Sequence, residues 1–462
     1  MKDFTSRALN VATHEGARYA DIRIVNSRQQ MVSVKNGNVD GIGDQDSQGF
    51  GVRVLIGDSW GFASSAYVSA AEIDRVTRLA VTIAKASSMV PGEPVDLGRP
   101  MNSVGKYTTP IEIDPFTVPL EQKLDLLFRA DERIRSNARV TVSEGNVIAV
   151  RHDKTFANTE GAFLEQTIFE SGGAIAATAV NDNEIQIRSH PNSFRYQGTG
   201  GWEYVTLLSA ESCPSKETTL ILGSSQLALQ IHESCGHPAE LDRVFGTEAA
   251  FAGRSFLTVD KRNNFRYGSD IVNLTADSVR PTGLGTFGWD DEGVPASSAP
   301  LVKNGEFVGY LMSRETASTL GLQSNGCMRA DGWNRIPLIR MTNVSLEAGT
   351  WNFDDIIADT DDGILMDTNR SWSIDDMRLN FQFGTEVGYE IKNGKRGRLL
   401  KNCTYGGITP DFWNSCDAIA SQKHWILWGT PNCGKGEPMQ TMGTGHGASP
   451  ARFRNVKVGV FR

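Results

Sequence analysis

The chain has 462 residues, 39% hydrophobic and 22% charged, enough for about two or three domains with their own cores and too apolar for disorder as the main state. Lys and Arg number 46 against 54 Asp and Glu, a net charge of -8, which argues against a general polyanion binder and gives no expectation of a nucleic-acid partner. Six cysteines are too few for a disulfide scaffold, no apolar run approaches the roughly twenty residues of a membrane span, and MKDFTSRALN has no signal-type apolar segment. A soluble, cytoplasmic protein without membrane contact is expected.

In chain order, Phe4 to Glu15 fits a helix with Phe4, Ala8 and Val11 on one face and Gly16 as its stop. ADIRIV and MVSVKNGNVDGI alternate as strands, and Asn36-Gly37 between apolar runs signals a hairpin. Gly57-Asp58 marks a second turn. Ser69, three residues before Glu72, suggests a capped helix with Ile73, Val76, Leu79, Ala80 and Ile83 on one face. Prolines from Pro91 to Pro119 predict an extended connection. A helix from Leu120, carrying Leu124, Leu127 and Ile134, and four strand-like segments through EIQIR complete an α+β region over 1–215, divisible near 91–119.

From 216 to 462 the pattern is β-rich. TTLILG reads as a strand ending at Gly223, and SSQLALQI as a helix leading into a histidine segment. Asn304-Gly305 and Asn393-Gly394 predict two further hairpins, and SLEAGTWNFDDIIADTDDGILM two more short strands. The expected fold class is α+β: an N-terminal mixed α/β region followed by a large β-rich domain. The GxG-containing segments lack a P-loop or dinucleotide fingerprint and fit turns.

The segment His232-Glu233-Ser234-Cys235-Gly236-His237 carries the chemistry. Two imidazoles and a carboxylate suit a divalent metal and an activated water. In HExxH the histidines share a helical face, but here they are five residues apart and diverge by about 140° on a regular helix. A π-type turn would restore convergence, with Gly236 easing the distortion and Pro238 ending the regular ladder. The alternative is a structural histidine pair beside a helix end. Glu240 and Asp242 are candidates for orienting a ligand or for capping and solvation.

HESCGH followed by PAELD resembles the TldD/PmbA family of metallopeptidases, in its TldD branch. FVGYLMSRETAS, RIPLIRMTNVSLEAGT, FGTEVGYEIKNGK and the closing NCGKGEPMQTMGTGHGASPARFRNVKVG are also similar to family segments, in the same order. The resemblance implies Zn2+ held by His232, His237 and the distant Cys433, with Glu233 as the catalytic base. Pro238 departs from the glycine common after the second histidine, and His446 is a nearby additional donor that suits substrate contact, alternative ligation or a surface loop. Cys213, Cys235, Cys327, Cys403 and Cys416 are expected to be structural or unassigned.

By the same resemblance the chain is a zinc-dependent peptidase for short or unfolded peptides, reached through an internal cleft. It would pair with a TldE-like subunit or with a second copy of itself. A narrow-specificity peptide-maturation hydrolase and a non-catalytic zinc-dependent scaffold are the competing functions. A cysteine peptidase or radical-redox enzyme is a weaker competitor.

Overall fold

The structure is a computed structural model, and it describes residues 1–90, 92–181, 184–190, 211–250 and 253–459; Pro91 of the proline-rich connection lies outside them. The architecture is α+β. Helix α1 (Lys2–His14) precedes three antiparallel strands: β1 (Tyr19–Lys35), β2 (Asn38–Ile56) and β3 (Ser59–Ser65). Asn36 and Gly37 both have positive φ, as the tight hairpin requires. Helix α2 (Ala70–Ser87) covers this sheet, and Ser69 accepts the Glu72 N–H at its start.

The buried stripe of α2 is Ile73, Val76, Ala80 and Ala84, whereas Leu79 and Ile83 face solvent. The expected face was too bulky for the approach that occurs. A Cβ added to Gly61 of β3 would stand 2.1 Å from the Ala80 carbonyl oxygen, so α2 lies against bare backbone there, with Ala80 and Ala84 at the contact. On α1 Ala12 is buried together with Ala8, while the expected Val11 is only half-buried.

Strand β4 (Val104–Thr108) emerges from the proline-rich connection and pairs in parallel with β6. Helix α3 (Leu120–Arg135) then leads into β5 (Val140–Asn158), β6 (Phe163–Asn181) and β7 (Glu184–His190). Among the described residues these seven strands form one sheet, with β1 and β5 paired at its middle.

The second sheet starts from β8 (Glu211–Ser212) and β9 (Lys216–Leu222). β9 is flanked by Asp362–Ile374 and Ala451–Val458; the pairings continue through Cys403–Ile408 and Asn380–Lys392 and return to Asp362–Ile374. Five strands thus close a ring around Leu220, Leu222, Phe381, Phe383 and Phe453. The segment expected to add two short strands also contains a helix, Phe353–Ala358.

The first sheet meets loops of the second region through buried charge and flat aromatic contact. Arg53 on β2 pairs with Asp21 at 2.7 Å and reaches Glu292 of the second region at 3.4 Å, while Lys154 pairs with Asp291 at 2.7 Å. Trp333 lies on Gly49 of β2, where a Cβ would come within 2.3 Å of its ring. Among the described residues no helix is long and apolar enough to cross a membrane.

His152 lines a cavity of about 330 Å³ between the two regions, its Nδ1 2.7 Å from Ser27 Oγ. Burial, aided by the charge of Lys154, pushes this imidazole down to about 4. The fold therefore favours the neutral ring, and the unfolded chain binds the proton more readily. Stability from this residue is fully present above an unfolded value of about 6.5 and drains away as pH falls toward 4. Urea unfolding of the wild type is expected to lose on the order of 2 kcal/mol through His152 between pH 8 and pH 5. His152→Gln should show a correspondingly shallower pH slope; equal slopes would remove His152 from the acid response.

Candidate metal centre

Strand β9 passes through Gly223 into α4 (Ser224–Ile231), all eight of whose residues are buried. Its two glutamines find partners inside the core. Gln226 Nε2 donates to the Tyr405 hydroxyl at 2.9 Å, and that hydroxyl donates to Gln230 Oε1 at 3.0 Å. Ser234 Oγ donates to the Gln230 carbonyl at 2.6 Å and accepts from Trp413 Nε1 at 3.0 Å. The serine hydroxyl thus serves a carbonyl that a regular helix would have paired with a backbone N–H.

At His232 the helix widens. The His237 N–H reaches the carbonyl of His232, five residues back, so His232–Gly236 form one π-helical turn. The extra residue in the turn cancels the divergence of a regular helix. The two imidazoles meet edge to face, with centroids 4.8 Å apart. Gly236 faces Met341, whose Sδ would be 2.0 Å from an added Cβ. Pro238 sits at the start of the 3-10 turn His237–Ala239, where its missing N–H breaks no ladder.

Cys433 arrives on the strand Ile426–Lys435, paired with Gln440–Ala448. Its Sγ lies 3.6 Å from His237 Nε2. One ligand atom each from His232, His237 and Cys433 all fall within 4.8 Å of one another, and all three residues are buried. Glu233 lines the same cavity of about 410 Å³, beside Trp372, Arg378 and Asn432. Arg378 Nη1 donates to Glu233 Oε2 at 2.9 Å.

The three donors fit a metal such as zinc, since two neutral imidazoles and one thiolate leave a fourth position open. Burial drives His237 down to about 3 against the raising pull of Glu240, so the ring is neutral, the form that ligates. Burial likewise pushes the Cys433 thiol up, with Arg340 opposing it; a divalent cation alongside would favour the thiolate.

Behind the donors lies a charged layer. Glu240 Oε2 is 2.9 Å from His237 Nδ1 and accepts from Arg243 Nη2 at 3.1 Å. Burial alone would raise the Glu240 carboxyl, yet Lys435, His237 and Arg243 together hold it well below the usual range. Lys435, fully buried, donates to both Asp242 oxygens at 2.8 Å and to the Ile339 carbonyl at 2.7 Å. Glu240 therefore backs a histidine, and Asp242 anchors the strand that brings Cys433. Cys235 points elsewhere: its Sγ accepts from Tyr267, and burial pushes the thiol up to about 12.

Models of the PmbA/TldA metallopeptidase match three stretches of the chain: domain 1 over residues 20–84, the central domain over 113–220 and the C-terminal domain over 215–459. The chain belongs to the PmbA/TldD family. A metalloprotease of Methanocaldococcus jannaschii is 28% identical over 452 residues, covering 93% of this chain and 95% of that protein. A metalloprotease TldD homolog of Haemophilus influenzae is 23% identical over 483 residues, covering 97% and 94%. TldE from Thermococcus kodakarensis shares the fold at a TM-score of 0.74, with 17% identity over 98% of this chain and 99% of its own. A Thermotoga maritima protein described as a candidate modulator of a DNA gyrase does so at 0.76, with 17% identity over 99% and 100%.

Arg378 is a residue of the site that spacing does not reveal. It lies in DDMRLN between two strands, with φ 61, and reaches a glutamate 145 positions earlier. Only the pairing of Asp362–Ile374 with Asn380–Lys392 brings its turn to the cavity.

Two substitutions test this geometry. Gly236→Ala must displace Met341 and is expected to cost about 1–3 kcal/mol in urea unfolding, with bound metal lost in parallel by elemental analysis. Lys435→Met strands Asp242 and Glu240 and should cost about 3–5 kcal/mol; unaltered stability would show that this buried pair does not secure the strand.

Proposed function

We propose that this chain is a zinc-dependent peptidase acting on short or unfolded peptides, with His232, His237 and Cys433 holding Zn2+ and Glu233 serving as general base. The reading is carried by one observation: a π-turn and a distant strand bring two imidazoles and a thiol together on one cavity, with a carboxylate beside them. When bound, the metal would supply Lewis acidity, lowering the pKa of a water and favouring negative charge on a carbonyl oxygen. Glu233 takes the proton from the attacking water and returns it to the leaving amine as the peptide C–N bond breaks. Arg378 holds one Glu233 oxygen and so restricts the carboxylate's rotation. Glu240 keeps the His237 ring oriented through Nδ1.

The same reading assigns 1–215 to a supporting region and 216–462 to the catalytic, metal-binding one. It places the protein in the cytoplasm, paired with a TldE-like subunit or a second copy.

Glu233→Gln should keep the fold and the metal while lowering cleavage of a peptide library about 10²–10⁴-fold. Cys433→Ser should chiefly lower metal content. A library cleaved equally by wild type and Glu233→Gln would sink the assignment of Glu233 as the base, whereas no cleavage by either protein, with binding retained in the variant, would favour a zinc-dependent scaffold. Cleavage of one sequence alone would favour a peptide-maturation hydrolase, and an acyl-enzyme in metal-free, active protein a cysteine peptidase.

A further inference from the structure

His446 stands on the strand Gln440–Ala448, fully enclosed by protein. Its Nδ1 is 3.0 Å from the Val344 carbonyl oxygen, and its Nε2 is 2.7 Å from Nδ1 of His232. Thr444 Oγ1 lies 3.1 Å from that same Nε2. The two rings cross nearly at right angles, 83°, with centroids 4.7 Å apart.

These contacts determine where the hydrogens sit. A backbone carbonyl oxygen can only accept, so Nδ1 of His446 carries the hydrogen. In a neutral imidazole Nε2 is then a bare lone pair, and the hydrogen between the rings belongs to His232 Nδ1. His232 is left with its lone pair on Nε2, the one ring nitrogen able to take a cation. The opposite arrangement would set a bare nitrogen against the Val344 carbonyl inside the core, two acceptors facing each other.

We infer that His446 is a positioning residue of the metal centre, holding His232 as the Nδ1-protonated tautomer through a relay that ends on the Val344 carbonyl. The inference rests on the proposed metal reading and deepens it. The two histidine ligands are therefore oriented by different chemistry. His237 is backed by the carboxylate of Glu240, itself tied to Arg243 and Lys435. His232 is backed by a neutral ring and a peptide dipole, which orient it without adding another negative charge to a site that already includes Glu233, Glu240 and a thiolate donor.

The tautomer can be read in the wild-type protein without metal. The chain has seven histidines, so ring-¹⁵N labelling gives a short set of resonances, and His232→Ala identifies the His232 pair by loss. In wild-type apo-protein His232 should show a protonated Nδ1 and a bare Nε2; a protonated Nε2 overturns the inference. His446→Leu, which removes the acceptor, should weaken Zn2+ binding about 10–100-fold in competition with a chromophoric chelator. His446→Gln, whose amide oxygen can accept from His232 Nδ1, should recover most of that loss. Wild-type affinity in His446→Leu, or equal loss in both variants, overturns the relay. The metal reading fails separately: wild-type protein would not bind Zn2+, or His232→Ala would bind it as well as wild type. Should His446→Leu not fold, the wild-type ring spectrum and His446→Gln still decide.

Discussion

The distance between Cys433 and the two histidines is governed by a lysine with no contact with water. Lys435 follows Cys433 by two positions on one strand, and Asp242 follows Glu240 by two positions after the histidine turn. Their ion pair therefore fastens the thiol-bearing strand to the imidazole-bearing segment just behind the donors. An unpaired ammonium in this place would be prohibitive, so the strand has one seating in which Lys435 is satisfied. Glu240, 3.5 Å from the same ammonium without a hydrogen bond, ties that seating to the orientation of His237.

Around this fastening the core is polar beneath the candidate metal donors and apolar elsewhere. Gln226, Gln230, Ser234, Tyr405 and Trp413 are hydrogen-bonded to one another beneath the π-turn, so a geometry uncommon in helices is held by hydrogen bonds as well as by packing. The ring of five strands supplies the wall, and the aromatic cluster of Phe381, Phe412 and Phe453 fills it. On the far side of the Cys433 hairpin, Met442 and Gly443 line the cavity that reaches the first sheet. One two-stranded element thus faces both the donors and the contact between the two regions.

Local chemistry made much of this legible. Asn-Gly pairs at 36, 304 and 393 mark hairpins because few residues tolerate the positive φ that such turns impose. The π-turn was readable from a five-residue spacing combined with Gly236 and Pro238, since a regular helix cannot bring His232 and His237 together. Cys433 was readable through family resemblance alone; nothing in TPNCGKGEP dictates which of many buried surfaces it meets. Burial on α2 was misjudged at Leu79 and Ile83, because hydrophobicity does not report that Gly61 draws the helix too close for large side chains. Arg378 beside Glu233 and His446 behind His232 are side-chain contacts across 145 and 214 positions, and no local period encodes them.

The long reach between His237 and Cys433 has a consequence for how the protein comes into being. On the proposed reading a bound cation joins residues 196 positions apart, which makes it a reversible cross-link across most of the second region. Such a link restricts the unfolded chain as a long disulfide loop does, so its stabilising effect grows with the segment it encloses. A nascent chain that has emerged only through residue 432 already carries both imidazoles and the base, yet it has neither the thiol nor His446. On that reading hydrolytic competence waits for the thiol at 433, and the full hold on the cation for His446.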